Sequence, residues 1–287
     1  MEWPQSLVQE IASHRAIIFL GSGSSAGCSN AAGEYPPTWE KFLDAARIQF
    51  VNVAEDSALV QELILNKSFL DAAEIIFSYI DPAEADLFFR DVFQRPAFQP
   101  SKLHDIIHGI DSKIVITTNY DQIYEHLCLR GEGAEGYNVK SYCEDQILDE
   151  IRSPTRLIIK AHGCVTNPQK IVLTRSQYFN ARMLHPSFYS LLDSLFLTHT
   201  VLFIGYSLSD PDIQLILENA NIAVPSAHPH YALVQKEKHP AIVKAIRSSY
   251  NIRLLEYENE DGTHKEVIPS LEELFSRVNF ERSLLLE

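Results

Sequence analysis

Four short stretches hold the side chains best suited to chemistry: Gly21-Ser22-Gly23-Ser24, Thr118-Asn119-Tyr120-Asp121, Lys160-Ala161-His162-Gly163 and Gly205-Tyr206-Ser207-Leu208-Ser209-Asp210. An amide at Asn119 can position a water or a hydroxyl without adding a charge that must be desolvated. Imidazole exchanges protons near neutral pH, which makes His162 a candidate base. Asp121 places a carboxylate beside the amide. The glycines of Gly21-Ser-Gly23-Ser-Ser-Ala-Gly27 would let backbone N–H groups approach a pyrophosphate. The last glycine falls a residue late for G-x-G-x-x-G, and a tight structural turn would need similar glycines.

Each stretch follows an apolar run. Residues 16–20, 114–118, 156–160 and 201–204 read as buried parallel strands, the first turning sharply toward a helix. Between the first two, residues 38–110 show helical spacing, as in Phe42, Leu43 and Ala46, then Ala72, Ile75, Ile76 and Tyr79. Pro82, Pro96 and Pro100 fall where helices would begin or end. Further helices are predicted over 121–129, 176–183, 186–198, 240–247 and 270–278, and one opens at Asp210-Pro211-Asp212; strands are predicted at 231–234 and 252–255. The alternation predicts an α/β fold with a doubly wound, mostly parallel, Rossmann-like sheet. It would form one domain over 1–287 with a helical insertion at 38–110. In such a sheet ligands bind beyond the carboxyl ends of the strands, where all four stretches fall.

Composition narrows the function classes. Against 38 acidic residues stand 24 basic ones, a net charge of −14, with no Lys/Arg stripe to neutralise phosphates, so direct nucleic-acid binding is not expected. Cys28, Cys128, Cys143 and Cys164 form no C-x-x-C pair and read as reduced thiols rather than a disulfide framework or a four-cysteine zinc site. The apolar runs are far shorter than the roughly 20 residues of a membrane span. No basic region followed by an apolar stretch opens the chain, which predicts a cytoplasmic protein with no membrane partner.

In this order, G-S-G-x-S after a strand, T-T-N-Y-D-x-x-x-E, K-x-H-G and G-Y-S-x-x-D-P resemble the SIR2 family over about 16–217. The pattern is closer to bacterial SIR2-like defence NADases than to sirtuin deacylases. The deacylases carry a zinc ribbon with two C-x-x-C pairs after the catalytic histidine region. Here Gly163 runs through Cys164 into Ile171-Val-Leu-Thr-Arg-Ser-Gln-Tyr178, so no zinc is expected. The resemblance implies NAD as substrate, with Asn119 and His162 as catalytic residues and Asp121 beside them. It also implies that Gly21, Ser22, Gly23, Ser24, Thr118, Gly205, Ser207 and Asp210 line the dinucleotide. Plainer roles stand next to these. Asn119 could cap a helix, His162 could be a hydrogen-bonded core histidine, and Asp121 could be a first-turn acid or an orienting acceptor. Asp210 and Asp212 could be cap residues around Pro211. Tyr35-Pro-Pro-Thr-Trp39 resembles the family's loop over the nicotinamide side, or Trp39 anchors the helical insertion.

The activity implied by the resemblance is NAD+ hydrolysis to nicotinamide and ADP-ribose, serving anti-phage defence by NAD depletion. Stand-alone subunits of this size resemble those that partner a HerA-type hexameric ATPase. The expectation is a large homo-oligomer regulated by assembly on such a motor, with Leu59, Leu63 and Phe69 as either interface or core. Two alternatives remain. One is an NAD-dependent protein deacylase or ADP-ribosyltransferase, disfavoured without the zinc ribbon; the other is a catalytically silent NAD-binding regulatory subunit.

Overall fold

A computed structural model describes residues 2–129, 136–224, 228–236 and 239–285. Seven strands form one sheet: β1 (Ala16–Leu20), β2 (Ile114–Thr117), β3 (Tyr137–Ser141), β4 (Arg156–Lys160), β5 (Thr200–Ile204), β6 (His230–Gln235) and β7 (Ile252–Tyr257). Their order is β3-β4-β2-β1-β5-β6-β7, and every neighbouring pair is parallel. A parallel sheet is covered on both faces, so its central strands must be apolar on both. In β1 all five residues are buried. Ile17 and Phe19 face one layer and Ile18 and Leu20 the other, following the period of two of a strand.

Thirteen helices surround the sheet among the described residues: α1 (Gln5–Ala12), α2 (Trp39–Phe50), α3 (Ala54–Leu65), α4 (Phe69–Phe77), α5 (Pro82–Phe93), α6 (Lys102–Ile110), α7 (Ile123–Cys128), α8 (Ile147–Arg152), α9 (Arg175–Leu184), α10 (Pro186–Thr198), α11 (Pro211–Ala223), α12 (Pro240–Tyr250) and α13 (Val267–Leu285). One layer buries Ile147 of α8, Tyr178 of α9, Leu192 of α10 and Ile216 of α11. The opposite layer buries Leu7 of α1, Ile107 of α6, Tyr124 of α7 and Leu274 of α13. Arg282 of α13 ties this layer together by donating to Ile110 O at the end of α6 (2.8 Å), a cation meeting the negative end of a helix dipole. Between β1 and β2, helices α2 to α5 build their own cluster around Phe42, Leu43, Ile76 and Phe89, and α6 returns to the sheet.

Some elements depart from the expectations of the sequence. Gly21 does not lead straight into an α-helix; a single 3-10 turn over Ser22–Ser25 follows, and the next α-helix begins at Trp39. Three elements fall outside those expected from the sequence: α8, β3 and α1, although Leu7, Val8, Ile11 and Ala12 after Pro4 mark α1 at helical spacing. β3 is an edge strand whose five residues are all half-buried, so it lacks the apolar run that marks β1. Among the described residues, no helix is long and apolar enough to cross a membrane, and no group of three or more His, Cys, Asp or Glu could hold a metal ion.

Candidate functional site

The four chemical stretches meet because their strands are neighbours, β4-β2-β1-β5. After β1 the chain builds β2 and β4 on one side, then crosses to β5 on the other, and the crevice at such a switch point is where doubly wound sheets take ligands. Leu20 is paired with both Thr117 and Ile204, which sets Gly21 beside Thr118 and Gly205. Thr117 is paired with Lys160, so Asn119 and His162 each lie two residues beyond one register position on adjacent strands.

Glycine is needed where the β1 and β5 loops touch. Gly205 adopts φ +63°, and a Cβ there would lie 2.2 Å from Ser24 N. A Cβ on Gly21 would lie 2.5 Å from Gly205 O. Gly21 N–H donates to Ile204 O (3.0 Å), Gly23 N–H to Gly205 O (2.9 Å) and Ser24 N–H to Gly21 O (3.0 Å). Those three amides are engaged within the protein, which narrows the pyrophosphate expectation. Ser22 and Gly23 form the exposed side of the turn, whereas Ser24 is buried and its hydroxyl donates to Gly21 O (2.7 Å).

Asn119 is half-buried and does not cap α7. Its Nδ2 donates to Gly21 O (3.2 Å), Ser24 Oγ (3.4 Å) and Ser25 Oγ (3.2 Å), and its N–H donates to Thr117 Oγ1 (3.1 Å). Three contacts to the β1 loop fix the amide plane. Asp121 is buried; its Oδ1 accepts from Ile123 N–H (3.0 Å) at the start of α7, and its Oδ2 accepts from Ser25 Oγ (3.2 Å). It stands ahead of the N-cap Gln122, so the first-turn acid of α7 is Glu125, and Asp121 acts as an acceptor that orients the serine holding Asn119. Thr118 is half-buried, with its N–H 3.4 Å from Leu20 O.

His162 is 3% exposed, and its ring stands edge-on to Tyr178. Nδ1 lies 3.4 Å from Tyr178 Oη and Nε2 lies 3.4 Å from Asp210 Oδ2. Tyr178 Oη donates to that same Asp210 oxygen (2.7 Å). Asp210 Oδ1 meanwhile accepts from Asp212 N–H (3.0 Å) and Ile213 N–H (3.1 Å), capping α11. Asp210 therefore faces His162 with one oxygen and closes the helix with the other. Neutral imidazole carries one N–H and one lone pair, so only one nitrogen can serve these partners as a donor. Ser207 is exposed, its Oγ 2.6 Å from Ser209 Oγ, toward the outer end of the same β5 loop.

Behind the cleft lies a buried ion pair between Lys160 Nζ and Glu125 Oε1, with side chains 1% and 3% exposed. Burial pushes the Glu125 carboxyl up. Burial also opposes charge on Lys160, but Glu125, Cys164 and Asp121 outweigh it and hold the ammonium protonated. Glu125 Oε1 accepts no hydrogen bond of good geometry, so the ammonium meets it as a charge. Sequence displays both residues as motif positions but gives no sign that they meet, and it likewise gives no sign that Tyr178 reaches His162. Trp39 stacks on Phe69 and meets Phe42 and Tyr120 edge-on, anchoring the helical block next to the β2 loop.

Comparison with known proteins agrees with this architecture. The SIR2-like domain family matches residues 113–255. Defense-associated sirtuin 2 of Bacillus subtilis is 25% identical over 208 residues, covering 71% of this chain and 19% of that protein. NAD(+) hydrolase ThsA of Bacillus cereus (strain MSX-D12) is 23% identical over 241 residues, covering 82% of this chain and 46% of the relative. The protein of that name from Acinetobacter baumannii (strain 532279) is 24% identical over 155 residues, 54% of this chain and 30% of the relative. This chain thus spans less than half the length of each.

Proposed function

We propose, on the premise that this chain belongs to the SIR2-like domain family through residues 113–255, that it hydrolyses NAD+ to nicotinamide and ADP-ribose. The observation that carries the reading is the equal register of an amide and an imidazole, each two residues beyond the paired ends of β2 and β4. Relatives named NAD(+) hydrolase ThsA support the choice of reaction. Nicotinamide leaves as a neutral molecule from a cationic nucleoside, so its departure needs no general acid. The ribose carbon it leaves behind is oxocarbenium-like and must meet a water. Asn119, held by the β1 loop, would hold that water or the neighbouring ribose hydroxyls in line. His162 would take the water's proton, and Asp210 would stabilise the imidazolium that results. Ser22, Gly23, Thr118, Gly205 and Ser207 would line the dinucleotide. Ser24 would shape the turn from within, and Asp121 would act through Ser25.

In this reading residues 1–287 are one domain, with 38–110 inserted as a helical roof, working in the cytoplasm where NAD is abundant. Defence by NAD depletion is supported by the relative named defense-associated sirtuin 2. We assign control to homo-oligomer assembly with a HerA-type hexameric ATPase, since an NAD-consuming enzyme must be held inactive until needed. The test is nicotinamide release followed by chromatography. His162→Ala and Asn119→Ala, each verified as folded by circular dichroism, are expected to lose activity by about 100-fold or more. Wild-type turnover in both variants would refute the assignment.

A further inference from the structure

Glu125 and Lys160 have no part in the chemistry above, yet they are the most deeply buried ion pair described, at 3% and 1% side-chain exposure. Taking two charges out of water is so unfavourable that an apolar pair of similar volume commonly serves stability equally well or better. Stability alone therefore does not account for the pair. Its connections do. Lys160 lies two residues before His162, and its ammonium donates to the main-chain carbonyl of Asp121, two residues after Asn119. Two further bonds run between the same loops, Tyr120 Oη to Val172 O (2.8 Å) and Val165 N–H to Tyr120 O (2.9 Å), while Val172 N–H to His162 O (3.0 Å) folds the β4 loop on itself.

We propose that the Lys160–Glu125 pair is a positioning clamp, with Lys160 fixing the β2 loop against the β4 loop and Glu125 holding Lys160 in place, so that Asn119 and His162 keep their working separation. The proposal rests on the NAD-cleaving reading and extends it to two residues that touch no substrate. Each charge removed singly would strand the other, so the decisive variant replaces both.

The experiment uses the full chain carrying Lys160→Met and Glu125→Leu together. The filled core is expected to keep Tm at or above wild type. A clamp predicts kcat for NAD lowered by about 100-fold with KM changed by less than about threefold, the signature of misplaced groups with intact binding. Amide hydrogen exchange should accelerate over 117–122 and 161–173 and nowhere else. Glu125→Asp, which keeps both charges, should recover part of the lost kcat relative to the double variant. Unchanged kcat and unchanged exchange would overturn the clamp, as would exchange rising throughout the chain together with a lowered Tm. Should the wild type release no nicotinamide, the functional reading falls by itself while the exchange measurement still decides the clamp: local acceleration upholds it and none rejects it.

Discussion

Tyr206 closes the inner wall of the crevice with its ring stacked on Phe203 and edge-on to Phe19, while its hydroxyl is buried without a hydrogen-bond partner among the described residues. Tyr120, Tyr178 and Tyr189 nearby all use theirs, on Val172 O, Asp210 and Asp212. An orphaned buried hydroxyl costs about 1–3 kcal/mol. Tyr206→Phe keeps the ring and deletes that atom, so the urea midpoint is expected to rise by an equivalent of about 1 kcal/mol. A fall would mean that the hydroxyl serves a partner. Burial and the nearby Asp210 and Asp212 raise the Tyr206 phenol well above its ordinary value, so ionisation offers it no relief. Side chains such as Asn119, Asp121 and His162 were legible in the sequence because each follows an apolar run. What they touch was not, since Ser25 to Asp121 and Tyr178 to His162 are tertiary contacts with no local pattern.

His230 begins β6, and its Nδ1 accepts from Val201 N–H of β5 (3.1 Å), which requires an unprotonated ring nitrogen. Burial pushes it down to about 4 from an ordinary 6.5. The unfolded chain therefore takes up this proton below about pH 6.5 and the native state only below about pH 4. The stabilising contribution is complete above pH 6.5, is lost progressively as pH falls to 4, and amounts to about 3 kcal/mol. In His230→Gln the slope of Tm against pH over that interval should be shallower; parallel profiles would show that His230 does not titrate there. Central strands such as β5 were legible from their apolar runs, and α5 and α11 from Pro82 and Asp210-Pro211. β3 was not, because an edge strand needs only half its surface covered and Tyr137-Asn-Val-Lys-Ser141 carries too little apolar character. The 3-10 turn after β1 was missed because glycine spacing signals a close approach without saying which helix type follows.

α9 connects surface to site across the whole molecule. It exposes Phe179 (59%), Met183 (57%) and Leu184 (66%), while Tyr178 on the same helix meets His162. Of the earlier interface candidates, Leu59 is 45% exposed, whereas Leu63 and Phe69 pack against the helical cluster. Assembly through α9 would thus reach the imidazole directly. Light scattering coupled to size-exclusion chromatography is expected to give a mass several times that of one chain, reduced by Phe179→Asp with Met183→Asp. A wild-type monomer at all concentrations would remove the assembly reading.

The contact of Gly205 with Gly21 and Gly23 has a mechanical consequence. With backbone seated on backbone and two N–H···O hydrogen bonds across the seam, those turns form a single rigid jaw. Asn119 fastens the β2 loop to that same jaw through Gly21, Ser24 and Ser25, so any widening beyond the strand ends would fall to the helical block that meets Tyr120 through Trp39 and Phe89.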